Sequence, residues 1–199
     1  MGKAMNVSQS MSRHSLARFG TRPGNRTNLA MKSISAATSR PLRWNRLRWY
    51  KKDFELRAGD DPVGKLSFRS LWSYRASATS ADGTWTLKRI GFWRPVITVR
   101  VSGSDADFAV FRYKRWMDGG TLEFRDGRTF RITDKRWATR FEVLSDRDDA
   151  LMSLRASAWT DRTAEVELGP ETTRLPELSL LLLFGWYLAV LTREEAAGA

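Results

Sequence analysis

The sequence has no cysteine and a single histidine among its 199 residues, and these absences exclude several kinds of site. Without cysteine the chain forms no disulfide, no thiolate metal site and no thiol nucleophile. His14 lies far from the candidate strands, so no catalytic Ser-His-Asp set can form among them. The acidic group Asp146, Asp148 and Asp149 lacks EF-hand spacing and is typical of a polar turn. We therefore expect a non-enzymatic protein without a cofactor or a metal ion.

Acidic residues are missing from the amino-terminal segment. Residues 1–46 hold nine basic and no acidic residues, whereas the remainder holds 25 basic and 22 acidic residues. Most of the formal net charge of +12 therefore belongs to this segment. It is rich in Ser, Asn and Gly and has no sustained apolar period, which predicts a disordered basic leader over 1–46 and a folded domain over 47–195.

The leader also contains no long apolar stretch of the kind found in secretory signals. We therefore expect a cytoplasmic protein, and a peripheral position at a membrane is compatible with this location. The Arg- and Ser-rich composition of the leader fits an organelle transit peptide as well, and a start placed too early would explain it equally.

From Leu47 onward, short alternating runs are separated by turns that contain Gly and Asp. Many strands at near-regular spacing, with no helical pattern between them, predict an antiparallel sandwich or barrel. The ten candidate strands are Leu47 to Arg57, Lys65 to Thr79, Thr84 to Ile90, Pro95 to Val101, Phe108 to Trp116, Thr121 to Arg125, Arg128 to Thr133, Trp137 to Leu144, Leu151 to Trp159 and Ala164 to Leu168.

One hairpin can be assigned a register from its pattern alone. A two-residue loop at Asp126-Gly127 would place apolar residues opposite polar ones. A three-residue loop with a left-handed Gly127 instead pairs Leu122 with Phe130 and keeps the apolar residues on one face. We therefore predict the three-residue loop.

The longest apolar stretch runs from Leu178 to Leu191, and it predicts a helix over 175–192. The helix is apolar on nearly every side, so exposure to water is excluded. A membrane span needs about 20 apolar residues, and this stretch is shorter. A core helix is therefore the favoured interpretation, and a tail-anchored membrane protein is the alternative.

A strand meander that ends in one wholly apolar helix resembles the tubby carboxyl-terminal-like superfamily, which includes LURP-one-related proteins and phospholipid scramblases. The residues that carry the resemblance are Gly64 to Phe68, Phe108 to Trp116, Leu122 to Ile132, Phe141 to Leu144 and Leu178 to Leu191. The resemblance implies a mainly β fold, in which a closed antiparallel β-barrel is wrapped around a central hydrophobic carboxyl-terminal α-helix. It also implies a role at lipids, because tubby domains bind phosphoinositide headgroups.

Basic residues mixed with aromatic ones are the candidate binding residues. Such a mixture suits an anionic membrane surface, and it suits single-stranded nucleic acid as the alternative. Outward-pointing residues of alternating strands would give the same pattern without any ligand. The candidates are Arg43, Arg46, Arg48, Lys51 and Lys52 at the start of the domain, and Arg112, Lys114 and Arg115 on one candidate strand.

Overall fold

Apolar residues at alternate positions build a barrel wall, because successive side chains of a strand point to opposite faces of a sheet. In the computed structural model the described residues are 31–114, 119–135, 140–156 and 163–198. The strands within them are β1 (Leu42–Arg46), β2 (Asp53–Ala58), β3 (Asp61–Phe68), β4 (Arg75–Ser80), β5 (Gly83–Ile90), β6 (Val96–Val101), β7 (Ala109–Tyr113), β8 (Gly119–Phe124), β9 (Thr129–Lys135), β10 (Arg140–Leu144), β11 (Ala150–Ala156) and β12 (Thr163–Leu168). The described helices are α1 (Ile34–Ala37), a short 3₁₀ helix (Thr172–Arg174) and α2 (Leu178–Gly198).

The strands form one closed antiparallel sheet. Each strand pairs with the next along the chain, and β1 pairs with β12 to complete the ring. On β2 the buried residues Phe54, Leu56 and Ala58 alternate with partly exposed ones. Closure removes the free edges that an open sheet would present. The predicted mainly β fold, a closed antiparallel barrel, is confirmed.

The hairpin between β8 and β9 has the predicted register. Leu122 pairs with Phe130, and the backbone N–H of Gly127 donates to the carbonyl oxygen of Phe124 at 2.9 Å. Gly127 has a φ of +89°, a backbone conformation that glycine adopts without steric cost. The three-residue loop therefore keeps the apolar side chains of both strands on the inner face.

Helix α2 forms the centre of the barrel. Its residues Leu178–Leu191 are buried on every side. Trp186 stacks on Trp44 of β1 with ring centroids 5.6 Å apart. Phe184 contacts Phe111 of β7, half-way around the ring from β1, with centroids 5.4 Å apart. Wall strands thus surround the helix, and the prediction of a central hydrophobic helix is confirmed.

Close packing between the helix and the wall depends on one helical glycine. A Cβ atom at Gly185 would lie 2.7 Å from Cδ1 of Leu154 on β11, well inside van der Waals contact. Glycine at this position therefore lets β11 approach the helix.

In the part of the chain that the structure describes, no helix has both the length and the hydropathy needed to cross a bilayer.

The amino-terminal boundary of the domain is earlier than the sequence predicts. Residues 1–30 lie outside the described residues, but α1 buries Ile34 and Ala37 against the core, and β1 supplies a complete strand of the wall. The proposed leader 1–46 is therefore wrong over 34–46. On β1 only Leu42 and Trp44 alternate with polar residues, and two apolar positions are too short a pattern to indicate a strand.

Two of the predicted strands are also drawn too long. Residues 47–52 form a turn before β2, and the predicted strand Lys65 to Thr79 is divided between β3 and β4 by a loop at 69–74. The predicted helix 175–192 begins later, at Leu178, and continues to Gly198. Charged and small helix-forming residues extend it beyond the apolar stretch.

The direction of the strands gives the barrel two distinct ends. The aromatic end carries the described loops after β1, β3, β5 and β7, which are residues 47–52, 69–74, 91–95 and Lys114. The acidic end carries the loops after β2, β4, β6, β8 and β10, which are residues 59–60, 81–82, 102–108, 125–128 and 145–149. Helix α2 begins at the acidic end, where Ser179 donates to Asp82, and finishes at the aromatic end, where Glu194 pairs with Lys52.

Candidate functional site

Large aromatic side chains protrude from three loops at the aromatic end. Trp49 is 80% exposed in loop 47–52, Trp72 is 92% exposed in loop 69–74, and Phe92 and Trp93 are 85% and 89% exposed in loop 91–95. Soluble domains rarely leave a group of large apolar side chains so open to water. Since neighbouring strands are spaced by about 4.8 Å, loops two strands apart lie about 10 Å from one another along the rim.

Backbone hydrogen bonds hold these loops against the barrel. The N–H of Phe68 donates to the carbonyl oxygen of Lys52 at 3.0 Å. The N–H of Arg69 donates to the carbonyl oxygen of Arg75 at 3.0 Å. The N–H of Arg89 reaches the carbonyl oxygen of Tyr74 at 3.5 Å. The protruding rings are therefore carried by loops whose bases are fixed to neighbouring strands.

The end of helix α2 supports the same loops from inside. The hydroxyl of Tyr187 donates to the carbonyl oxygen of Tyr74 at 2.5 Å. Burial raises the pKa of Tyr187, so this phenol remains a neutral donor at physiological pH. Arg89 pairs with Glu195, and its guanidinium lies 5.3 Å from the ring centroid of Tyr74. Loop 69–74 is consequently anchored to both the wall and the helix.

The charge of the aromatic end is one-sided. Its described loop residues include six cations and no carboxylate. Lys52 is 8% exposed and pairs with Glu194, whereas the others are exposed and form no ion pair with any described residue. The six are Arg48, Lys51, Lys52, Arg69, Arg94 and Lys114.

A groove of about 320 Å³ lies on the outer wall over β4, β5 and β6. Arg75, Lys88 and Ile90 line it near the aromatic end, and Arg100 and Asp105 line it nearer the acidic end. The volume is in the range of a small-molecule site. The groove therefore begins directly beside the loops that carry Trp72 and Trp93.

Two cations in this groove face each other without compensation. Arg75 and Lys88 are direct cross-strand partners, and neither forms an ion pair with a described residue. Like charges at directly opposed positions destabilise a sheet. Arg100, in contrast, donates to Oδ1 of Asp107 at 2.7 Å. An anion bound between Arg75 and Lys88 would relieve their repulsion.

Four of the predicted binding residues lie together around the turn between β1 and β2. Arg48 and Lys51 are exposed on it, and the Nε of Arg46 donates to the carbonyl oxygen of Lys51 at 3.1 Å. Lys52 is turned inward, where its ammonium lies 5.2 Å from the ring centroid of Phe68. Arg48 and Lys51 are thus available to a ligand, while Lys52 has a structural role.

The other predicted residues are dispersed. Arg43 lies on the outer wall and pairs with Glu165 at 3.1 Å, and Arg112 lies 4.0 Å from a carboxylate oxygen of Glu123. Lys114 is exposed at the aromatic end, next to β7. Arg115 lies outside the described residues. The eight candidates therefore do not form one site, and three exposed residues of the aromatic end remain the strongest among them.

The structure adds residues that the sequence pattern did not single out. They are the aromatic residues Trp72, Phe92 and Trp93, the loop cations Arg69 and Arg94, and the opposed pair Arg75 and Lys88. The pair had a usable signal, because a two-residue loop at Ala81-Asp82 places Arg75 opposite Lys88. The exposed rings had none, since exposure is not encoded in the local pattern.

Comparisons of the chain with protein-family models, with curated proteins and with solved structures gave no match.

Proposed function

We propose that the protein is a non-enzymatic, tubby-like module that binds the headgroups of anionic membrane lipids. The placement of uncompensated cations carries this proposal. Exposed cations surround the aromatic end, and the opposed Arg75 and Lys88 lie in a groove that starts at the same end. The barrel with its central helix is also the architecture that the sequence resemblance implies.

The charge pattern favours a phosphate-bearing surface over a compact acidic partner. Cations distributed along a rim attract an extended anionic layer, and each one near such a surface contributes about 1 kcal/mol. Arginine and lysine side chains donate readily to phosphate oxygens. The groove would hold one headgroup, while Arg48, Lys51, Arg69, Arg94 and Lys114 would contact its neighbours.

Vesicle flotation tests the proposal. The full-length chain should float with vesicles that contain phosphatidylserine or a phosphoinositide, and it should float much less with neutral phosphatidylcholine vesicles. Equal flotation with both would contradict the proposal. Binding that is lost to competing oligonucleotide at low salt would instead favour a nucleic-acid-binding barrel.

The groove is tested by a double charge reversal, Arg75→Glu with Lys88→Glu. At about 1 kcal/mol per cation, the loss of two should weaken binding to anionic vesicles by at least about thirtyfold. The matched control is Arg125→Glu with Arg147→Glu, which changes the net charge equally at the acidic end. Equal losses in the two variants would show that total charge alone governs binding.

The basic leader needs a separate control, because five of its cations precede the described residues. In a full-length variant, Lys3, Arg13, Arg18, Arg22 and Arg26 are all replaced by Gln. We expect this variant to keep its preference for anionic vesicles. A complete loss of that preference would move the binding activity from the barrel to the leader.

A further inference from the structure

The protruding aromatic residues extend the proposed function, because headgroup binding alone does not require them. Nine of the eleven large apolar side chains exposed among the described residues are at the aromatic end, including Phe92 and Trp93 of loop 91–95 and its flanking residue Ile90. Val101 and Phe108 are the other two. Such a concentration of exposed apolar side chains indicates a surface that contacts an apolar partner when the protein functions.

We propose that Trp49, Trp72, Phe92 and Trp93 insert into the interfacial layer of an anionic bilayer, so that the barrel stands on its aromatic end. This inference rests on the proposed function and adds to it the orientation and the depth of contact. Tryptophan and other aromatic residues favour the level of the headgroups, where one part of the ring is apolar and another is hydrated.

The shape of this surface favours a bilayer over a folded partner. The rings stand on the tips of three separate loops and make few contacts beyond their immediate neighbours, such as the edge contact between Phe92 and Trp93 at 5.4 Å. None of the four rings lines the groove over β4, β5 and β6. A fluid interface adapts to separate projections of this kind, and the exposed cations between them fit its phosphate layer.

Charge argues against a second copy of the chain as the occupant. Two aromatic ends placed face to face would bring the five exposed loop cations of one copy against the same five of the other. Like charges across an interface oppose association. The fixed bases of the loops favour insertion instead, since anchored residues lose little conformational freedom when they bind.

Site-specific labelling tests the orientation directly, because the chain contains no cysteine. Ser70→Cys places one thiol in loop 69–74, before β4, and Ala81→Cys places one at the opposite end of the same strand. Both native residues are exposed, and the two ends of this six-residue strand are about 20 Å apart. Each variant carries a polarity-sensitive nitrobenzoxadiazole probe.

With vesicles of phosphatidylcholine and phosphatidylserine, the probe at position 70 should brighten and shift to shorter wavelength. Lipid-linked nitroxide should quench it, whereas the probe at position 81 should not respond. A response at position 81, or at neither position while the protein floats, would overturn the insertion but leave headgroup binding standing. Insertion that is equally strong in neutral vesicles would overturn the anionic preference alone, and no vesicle binding would overturn both.

Ring replacement provides an independent readout. Trp72→Ala with Trp93→Ala should weaken vesicle binding by at least about tenfold, since two large rings no longer leave water. Trp72→Phe with Trp93→Phe should recover most of this loss. Unchanged binding by the alanine variant would contradict insertion, and a change of oligomeric state without vesicles would assign the surface to self-association.

Discussion

The two ends of the barrel are built by the same strands, yet they use charge in opposite ways. At the acidic end many carboxylates are partners within the fold: Asp126 accepts from Arg128, and Asp82 accepts from Ser179 at the start of α2. At the aromatic end the exposed loop cations have no such partners among the described residues. The loop carboxylates of the acidic end are Asp60, Asp82, Asp105, Asp107, Asp126, Asp146, Asp148 and Asp149, against three cations, Arg125, Arg128 and Arg147.

This difference separates residues that stabilise the barrel from residues left available to a ligand. Ion pairs at the acidic end fix loops and the beginning of the helix. Free cations at the aromatic end add nothing comparable to the fold, and their mutual repulsion opposes it. The resulting asymmetry would orient the molecule near an anionic surface before contact, with the aromatic end foremost.

The largest expected effect comes from disrupting helix α2, which supports both ends of the barrel. Leu182 is fully buried in α2. Leu182→Asp should unfold the protein, because an unpaired charge in a dry core costs several kcal/mol. Thermal unfolding followed by circular dichroism measures this, with Leu182→Met as the conservative control. A soluble Asp variant with unchanged melting would contradict the central position of the helix.

A smaller effect is confined to the aromatic end. Arg48→Glu with Lys51→Glu should reduce affinity for anionic vesicles by at least about thirtyfold, given about 1 kcal/mol for each cation removed. Stability should change little, because both side chains are exposed. The same two changes at Arg125 and Arg147 should leave affinity nearly unaltered. An equal loss of vesicle affinity in the two variants would show that the two ends do not differ in function.

Replacing Glu194 should lower the stability of the fold and strengthen its binding to anionic vesicles. Glu194→Gln leaves the nearly buried Lys52 without its charged partner, and we expect a loss of about 1–2 kcal/mol in the free energy of unfolding. The aromatic end also becomes more positive by one charge, which should tighten vesicle binding by about fivefold. Denaturant titration and flotation give the two values. Weaker binding would mean that the pair organises the binding surface.

The smallest expected effect depends on pH and belongs to the acidic end. A hydrogen bond from Arg128 lowers the pKa of Asp126, and hydrogen bonds from Lys32 and then Arg40 lower the pKa of Asp61. A carboxyl group whose pKa is lower in the folded state stabilises the fold at pH values above its unfolded-state pKa of about 3.9. This stabilisation is lost as the pH falls through the folded-state pKa.

Below about pH 4, amide exchange should therefore accelerate first around residues 59–61 and 125–128, before loop 69–74 is affected. Because both carboxylates are exposed, the change in overall stability should be small. Asp61→Asn with Asp126→Asn should remove this part of the pH dependence. An earlier change at the aromatic end would contradict the assignment.

The antiparallel strand meander, the buried helix and the register of one hairpin could be predicted from local periodicity or from a single long apolar stretch. The pattern left a sandwich and a barrel open, and the closed barrel around the helix was what the resemblance implied. Leu122 pairs with Phe130 for the reason given by the apolar pattern. Strand β1 escaped prediction, since its burial of Trp44 depends on a partner, Trp186, that lies far away in the sequence.

The aromatic end could be predicted only in part. Arg48 and Lys51 were visible as cations beside Trp49. The segment from Arg69 to Tyr74 contains no Gly, Pro, Asn or Asp, and its two serines are only a weak turn signal. Its aromatic residues are common in strands. Only the closed sheet shows that Trp72 faces water, because exposure depends on which neighbours the fold supplies.

Hydrogen–deuterium exchange of the unmodified full-length chain, free and bound to vesicles that contain phosphatidylserine, tests the central claim most directly. The account predicts slower exchange in loops 47–52, 69–74 and 91–95, with residues 81–82, 102–108, 125–128 and 145–149 unchanged. Protection of the acidic-end loops, or uniform protection of both ends in the bound state, would contradict it.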